Sequence, residues 1–365
     1  MSINLNPMLN PNTPSIHIVR QYGPTGGMER YVWELTHALA KSGQPVKVVC
    51  EKAHAQPTSD IEVISLGIIK PKPRWLSMLK FSRNVSKFLN SIDTYNWVIH
   101  SHERCSMHQV TTFHGPSILN RKKRFFDFLS PRLLTWEALE KREVTGQSVK
   151  AVLPNSLMVA EQLTSLYPSI EDKICAPAYP GVDPAFTKLT NTSSGKTIGF
   201  IGKEWQRKGL MFACDVIESI RQRHPEIHFV VSGPSPEEIM HLFEGWPDGS
   251  YTLLGWTPAE RVLPKIDLLI HPAISEPFGM VIAEANAAHI PVLISDQCGI
   301  AELINDESGF VLSLNEQLPW QNSLLTLLKS DKVQSLNLTW DNLAKQHIAL
   351  YQGILQENKE RHDDH

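Results

Sequence analysis

The 365-residue sequence contains no apolar run of about eighteen residues, so no transmembrane helix is expected. Its first stretch, Met1–Pro14, is rich in Asn and Pro and lacks the basic and apolar regions of a signal peptide. It reads as a tail, and the expected location is the cytoplasm, with the inner membrane face as an option for peripheral contact. Cysteine is scarce. Cys50, Cys105, Cys175, Cys214 and Cys298 are odd in number and widely scattered, which argues against a disulfide framework or a zinc site and leaves buried structural thiols. No Asp-x-Asp occurs, so no divalent ion is expected. The loop Gly23-Pro-Thr-Gly-Gly27 is no GxGxxG, so no dinucleotide site is indicated. Gly195-Lys-Thr197 falls short of a P-loop, because Thr190 stands where the first glycine is required and the triplet precedes its strand.

What is present is enough for a large core: 42% of residues are hydrophobic, and the length favours two domains over one. The net charge of −3 conceals an asymmetry, since residues 1–180 carry 21 Lys/Arg against 14 Asp/Glu and the remainder carries 14 against 24. The cations concentrate in Lys70–Lys87 and Arg121–Arg124, interleaved with Trp75, Leu76, Met78, Leu79, Phe81, Phe125, Phe126, Phe128 and Leu129. That mixture suits an anionic membrane surface or lipid headgroup, and it equally suits amphipathic helices with solvated basic faces. No nucleic-acid recognition motif accompanies it.

Apolar runs bounded by breakers predict strands at Ile16–Tyr22, Pro45–Val49, Ile61–Leu66, Trp97–His100, Val110–His114 and Ala151–Leu153. Helical periodicity predicts Met28–Lys41, Leu76–Leu89, Leu119–Leu129, Leu133–Val144 and Met158–Leu166. Strand, glycine-bearing loop and helix open a doubly wound α/β domain, and the Pro- and Gly-rich Ala176–Asp183 ends it. The rhythm then restarts, with strands at Thr197–Ile201, Ile227–Ser232, Tyr251–Leu254, Leu268–His271, Pro291–Ile294 and Phe310–Leu312, and helices at Leu210–Arg223, Pro236–Phe243 and Ala259–Ile266. The domains expected are 1–183 and 184–339. A helix over Trp340–Leu355 (with its end, 340–357) docks back across the first domain, and Glu357–His365 is a frayed tail.

Candidate ligand groups lie where open α/β sheets place them, after strand carboxyl ends. His114, followed by Gly-Pro, is the strongest in the first half; His100, His102, Glu103 and Arg104 give a weaker signal. In the second half the loop Gly202-Lys-Glu-Trp-Gln-Arg-Lys-Gly209 puts Lys203, Arg207 and Lys208 beside a helix N-terminus, which invites a diphosphate. Glu276 and Glu284 flank Pro277-Phe-Gly279. Pro277 suits a first helical turn, and a mostly helical interval would set the carboxylates roughly 12 Å apart, too far for a glycosidase pair.

The ordered set Gly26-Gly27, Thr111-Thr-Phe-His114, Asn155-Ser156, Pro180-Gly-Val-Asp183, Lys208-Gly209, Glu276-Pro-Phe-Gly279 with Glu284, and the Trp340 helix resembles the retaining glycosyltransferases of family 4. Among them it looks most like the bacterial lipopolysaccharide-core hexosyltransferases, chiefly through Gly202–Gly209. The resemblance implies the GT-B fold, two Rossmann-like domains facing a central cleft. It implies that Glu284 bonds the nucleotide ribose, that Glu276 with the Phe278 and Gly279 amides orients donor-sugar hydroxyls, and that Arg207 and Lys208 neutralise the diphosphate. His114 would contact the donor sugar, and Gly26 and Gly27 would close over the phosphates. Lys203 stands where many members have Arg, so a two-pronged phosphate contact there falls to Arg207. The donor implied is a UDP-sugar used without metal or cofactor. The acceptor is a glycan or a lipid-linked glycan, with Arg104, Arg121, Lys122, Lys123 and Arg124 as candidates for the acceptor or membrane side. A sugar-nucleotide epimerase or a non-catalytic nucleotide-sugar-binding protein remains an alternative.

Overall fold

The computed structural model describes residues 12–70, 72–120, 130–193, 195–329 and 333–363. The chain divides into two compact units, one of Met1–Gly181 with Trp340–His365 and one of Val182–Thr339.

The first unit is built from strands β1 (Ser15–Ile18), β2 (Gln21–Tyr22), β3 (Val46–Cys50), β4 (Lys52–Ala53), β5 (Ile61–Ser65), β6 (Val98–Ser101), β7 (Val110–Phe113) and β8 (Ala151–Pro154). Its helices are α1 (Met28–Lys41), α2 (Arg74–Leu89), α3 (Pro131–Thr145), α4 (Leu157–Leu166) and the returning α10 (Trp340–Asp363). Six strands form a parallel sheet in the order β5-β3-β1-β6-β7-β8, and β2 pairs with β4 alone. Strands in a parallel sheet are covered on both faces, which is why β1, β6, β7 and β8 are buried throughout. Period-2 alternation still sorts β1. Ile16 and Ile18 pack with Met78, Phe81 and Val85 of α2, while Ser15 and His17 face the other way.

The second unit repeats the plan with β9 (Thr197–Ile201), β10 (His228–Ser232), β11 (Tyr251–Leu253), β12 (Leu268–His271), β13 (Val292–Ser295) and β14 (Gly309–Leu312), ordered β11-β10-β9-β12-β13-β14 and parallel. Its helices are α5 (Leu210–Arg221), the one-turn α6 (Pro236–Ile239) and α7 (Ala259–Val262), α8 (Met280–Ala287) and α9 (Gln317–Leu327). Phe200, Phe229, Ile217, Ile270 and Trp320 lie at the centre of its core. In each sheet the strand order reverses between the first and fourth strands, β1/β6 and β9/β12, and that switch point is where such folds bind ligands.

Several expectations need correcting. The first strand breaks after Ile18. The helices expected at Pro236–Phe243 and Ala259–Ile266 are single α-turns continued as 3₁₀ helix. α9 was not foreseen; Pro319 looks like a breaker but lies in its first turn, where the missing N–H has no intrahelical partner to lose. α10 continues through the supposed tail to Asp363. Cys175 is half-buried where full burial was expected. Most of Leu119–Leu129, with Arg121, Lys122, Lys123 and Arg124, lies outside the described residues.

Candidate functional site

In the second unit the chain leaves β9 at Gly202 and turns into α5 at Gly209. Gly209 has φ +80°, and a Cβ there would lie 1.9 Å from the Pro272 carbonyl oxygen, so only glycine lets this turn sit against the end of β12. Gly202 serves differently: a Cβ on it would meet Lys208 Cδ at 2.2 Å, so the bare position is the bed on which the Lys208 stem lies.

That stem delivers Lys208 Nζ to 2.9 Å from Glu276 Oε2. Arg207 Nη1 reaches the same oxygen at 3.3 Å and also donates to the Ser275 carbonyl, while Glu204 Oε2 accepts from Arg207 Nε at 2.9 Å. His271, buried at the end of β12, places Nε2 3.7 Å from Glu276 Oε2. Burial alone would raise the Glu276 carboxyl, but His271, Lys208 and Arg207 outweigh it and hold it well below the usual carboxylate range. His271 is pushed down to about 4 by burial and by Lys208. A carboxylate ringed by cations at the switch point is a preorganised electrostatic site: one negative charge aims two positive side chains that still have donors to spare. Lys203 is exposed and forms no ion pair among the described residues.

The stretch around Glu276 is not helical. Glu276 N–H donates to the Gln297 carbonyl at 2.9 Å and its own carbonyl accepts from Gly299 at 2.8 Å, tying the residue beside Cys298 as an isolated parallel bridge. α8 begins only at Met280, after Gly279 at φ +112°. Pro277 therefore precedes the helix, and the separation expected from a continuous helix does not apply. Phe278 is buried, its carbonyl accepting from Ile300 N–H at 2.9 Å, and Glu284 is buried within α8. His271, Glu204 and the bed at Gly202 were not singled out in the sequence. The only signal for His271 is its place at the end of an apolar run, which a structural histidine shares.

In the first unit, Gly26 adopts φ +97°, and a Cβ there would meet Glu29 Oε2 at 2.5 Å; around Gly27 there is open space. A cavity of about 790 Å³ opens beside this loop, lined by Arg20, Glu29, His102, Glu103, Arg104 and His114 among others. His114 Nε2 pairs with His102 Nδ1 at 3.0 Å, and the Tyr31 ring stands edge-on to it at 4.7 Å. Glu103 is pushed up to about 7 by burial, although it accepts the Arg20 N–H at 3.2 Å. Arg104 is committed: Glu140 lies 3.1 Å from it, Glu143 3.7 Å, and its guanidinium covers Trp136. In α2, Met78 and Phe81 are buried and Trp75, Leu76 and Leu79 are partly exposed, while Lys80, Arg83 and Lys87 are exposed. No described helix is long and apolar enough to cross a membrane.

The family model described as "Glycosyltransferase Family 4" matches residues 25–186, and that described as "Glycosyl transferases group 1" matches residues 195–330. The chain is 23% identical to lipopolysaccharide glucosyltransferase WaaG of Escherichia coli, across 90% of this chain and 92% of that one. Its fold superimposes on the crystal structure of WaaG with a TM-score of 0.69 at 19% identity, covering 92% and 95% of the two chains. It also matches Anabaena HepE, solved in complex with UDP-glucose, with a TM-score of 0.62 at 16% identity, covering 95% and 99%.

Proposed function

Because the chain belongs to glycosyltransferase family 4 and has the GT-B fold, we propose that it transfers a hexose, with retention, from a UDP-sugar to a glycan or lipid-linked glycan of the cell envelope, lipopolysaccharide being the favoured setting. The observation that carries this reading is the cluster of Lys208, Arg207 and His271 around Glu276 at the β9/β12 switch point.

Breaking a sugar–diphosphate bond develops negative charge on the leaving oxygen. Lys208 supplies a compact charge for it and Arg207, whose fork is held by Glu204, adds a second positive charge beside it, so charge separation is stabilised without a divalent ion. Lys208 spends one of its three donors on Glu276 and keeps two for phosphate oxygens. Glu276, ionised throughout the working range, accepts from sugar hydroxyls, and Glu284 takes the ribose. His114, Gly26 and Gly27 supply the first unit's contacts. UDP-glucose in HepE and the glucosyl transfer in the name of WaaG support a UDP-hexose. The epimerase alternative differs in needing no acceptor.

The test is a thermal-shift panel of UDP-, GDP- and ADP-sugars on the full-length protein, because a ligand that binds only the folded state raises its melting temperature. A shift with UDP-sugars alone is expected. No shift with any of the three would end the donor assignment, and nucleotide release that ignores added acceptor would favour the epimerase.

A further inference from the structure

Behind His114 the first unit holds an unusual amount of histidine. His17 on β1 and His100 on β6 are opposite one another in register, His102 follows β6, and His347 projects from α10; all four are buried. Three of the five rings are joined in line. Ser15 Oγ lies 3.2 Å from His17 Nε2, His17 Nδ1 lies 3.1 Å from His102 Nε2, and His102 Nδ1 lies 3.0 Å from His114 Nε2. The half-buried His114 ends this line at the cavity described above.

A neutral imidazole has one N–H and one lone pair, so each ring that donates on one side must accept on the other. The line can run in two directions only, and Ser15 decides between them. Its hydroxyl is fully buried, and His17 Nε2 is its one hydrogen-bond partner among the described residues. If it accepted from His17, its own proton would be left buried without a partner, the more costly arrangement. Ser15 therefore donates to His17 Nε2, His17 Nδ1–H donates to His102 Nε2, and His102 Nδ1–H donates to His114 Nε2. His114 is left with its proton on Nδ1.

We infer that Ser15, His17 and His102 are positioning residues that fix His114 as the neutral Nδ1–H tautomer, so that it offers the cavity one donor and no charge. Such a group recognises an uncharged acceptor oxygen, a sugar hydroxyl or ring oxygen, in preference to a phosphate. The ligand clause rests on the sugar-contact role proposed above for His114; the tautomer does not.

The surroundings keep the line neutral. Burial and His347 push His17 and His114 down to about 3, and His100 and His102 are lowered by burial and by the neighbouring imidazoles. The groups facing His114 are Tyr31 of α1, His102 after β6 and His347 of α10, with Arg20, Glu103 and Arg104 around the cavity. The same cluster brings ring nitrogens of His17, His100 and His102 within 4.8 Å of one another, a possible metal set. His100 is already engaged by Tyr351 at 2.6 Å and Thr112 at 2.8 Å, and the other two rings by the line itself, so no ligand is wanting.

The test is long-range proton–nitrogen NMR of the full-length protein labelled with ¹⁵N-histidine, which reads each tautomer directly. At neutral pH, His17, His102 and His114 should all show a protonated Nδ1 and a bare Nε2. His102→Phe should release His114 to a mixed tautomer and raise KM for the sugar substrate about five- to tenfold, the loss of one hydrogen bond, with a smaller change in kcat. His102→Asn, whose amide N–H can stand in for Nδ1–H, should restore most of both. Wild-type His114 protonated on Nε2, or doubly protonated, overturns the inference, as does a zinc titration that shifts His17, His100 and His102 together. An unchanged KM in both variants overturns the ligand clause. Failure of the nucleotide-sugar reading shows itself separately, in the thermal-shift panel, and leaves the tautomer result standing.

Discussion

Lys208 Nζ and Glu276 Oε2 lie 2.9 Å apart, with side chains 17% and 12% exposed. A pair so enclosed is weak evidence for stability, because desolvation offsets much of the attraction. It is better understood as a positioning device, in which Glu276 aims a cation that a diphosphate then shares.

Replacing Glu276 with Gln separates the two roles. Removing the negative charge leaves Lys208 and Arg207 more available to phosphate, so free UDP should bind more tightly while sugar transfer falls. Calorimetry with UDP beside a transfer assay checks this, and weaker UDP binding in Glu276→Gln would contradict the arrangement.

Gly202 and Gly209 should respond to alanine in opposite ways. In Gly202→Ala the new Cβ displaces the Lys208 stem, a flexible neighbour, so melting should change little while donor KM rises. In Gly209→Ala the obstacle is the Pro272 carbonyl and the backbone is left-handed, so unfolding free energy should drop by about 2 kcal/mol or more. Denaturant titration and steady-state kinetics on both variants check the contrast.

Acid should destabilise the first unit. Six of its histidines, His17, His100, His102, His108, His114 and His347, are lowered in the folded state. Their stabilisation is fully present above the ordinary histidine value of 6.5 and is lost as pH falls below it, towards about 3–4 for His17, His108, His114 and His347, because the unfolded chain binds protons that the folded one refuses. Glu103 and Glu143, raised to about 7, act in the opposite sense between pH 7 and 4.5, but they are two against six. The melting temperature should fall by on the order of 10 °C between pH 7 and pH 5. A flat profile would contradict the neutral packing of these rings.

The sheets were legible because parallel strands are buried on both faces and so read as short apolar runs between breakers; all twelve main strands correspond to such runs. Met28–Lys41 was legible to the residue, because Tyr31, Leu35, Ala38 and Leu39 keep helical spacing. The site was legible as residue types at strand ends, Lys208 and Glu276 above all. What could not be read was how distant segments interlock. Pro277 fits a helix start locally, yet pairing with Gln297 and Gly299 holds its neighbour Glu276 extended. Gly202 looks like any loop glycine until Lys208 lies over it. His17 and His347 are lone histidines in apolar surroundings, and only the sheet register and the return of α10 bring them together.

The central claim is that Lys208 holds the leaving diphosphate, and the most direct measurement is single-turnover transfer from a UDP-sugar by Lys208→Ala, with circular dichroism to confirm the fold. Lys208→Ala should lose roughly 10²–10³-fold in rate with an unchanged spectrum. A rate near that of the wild type would contradict it.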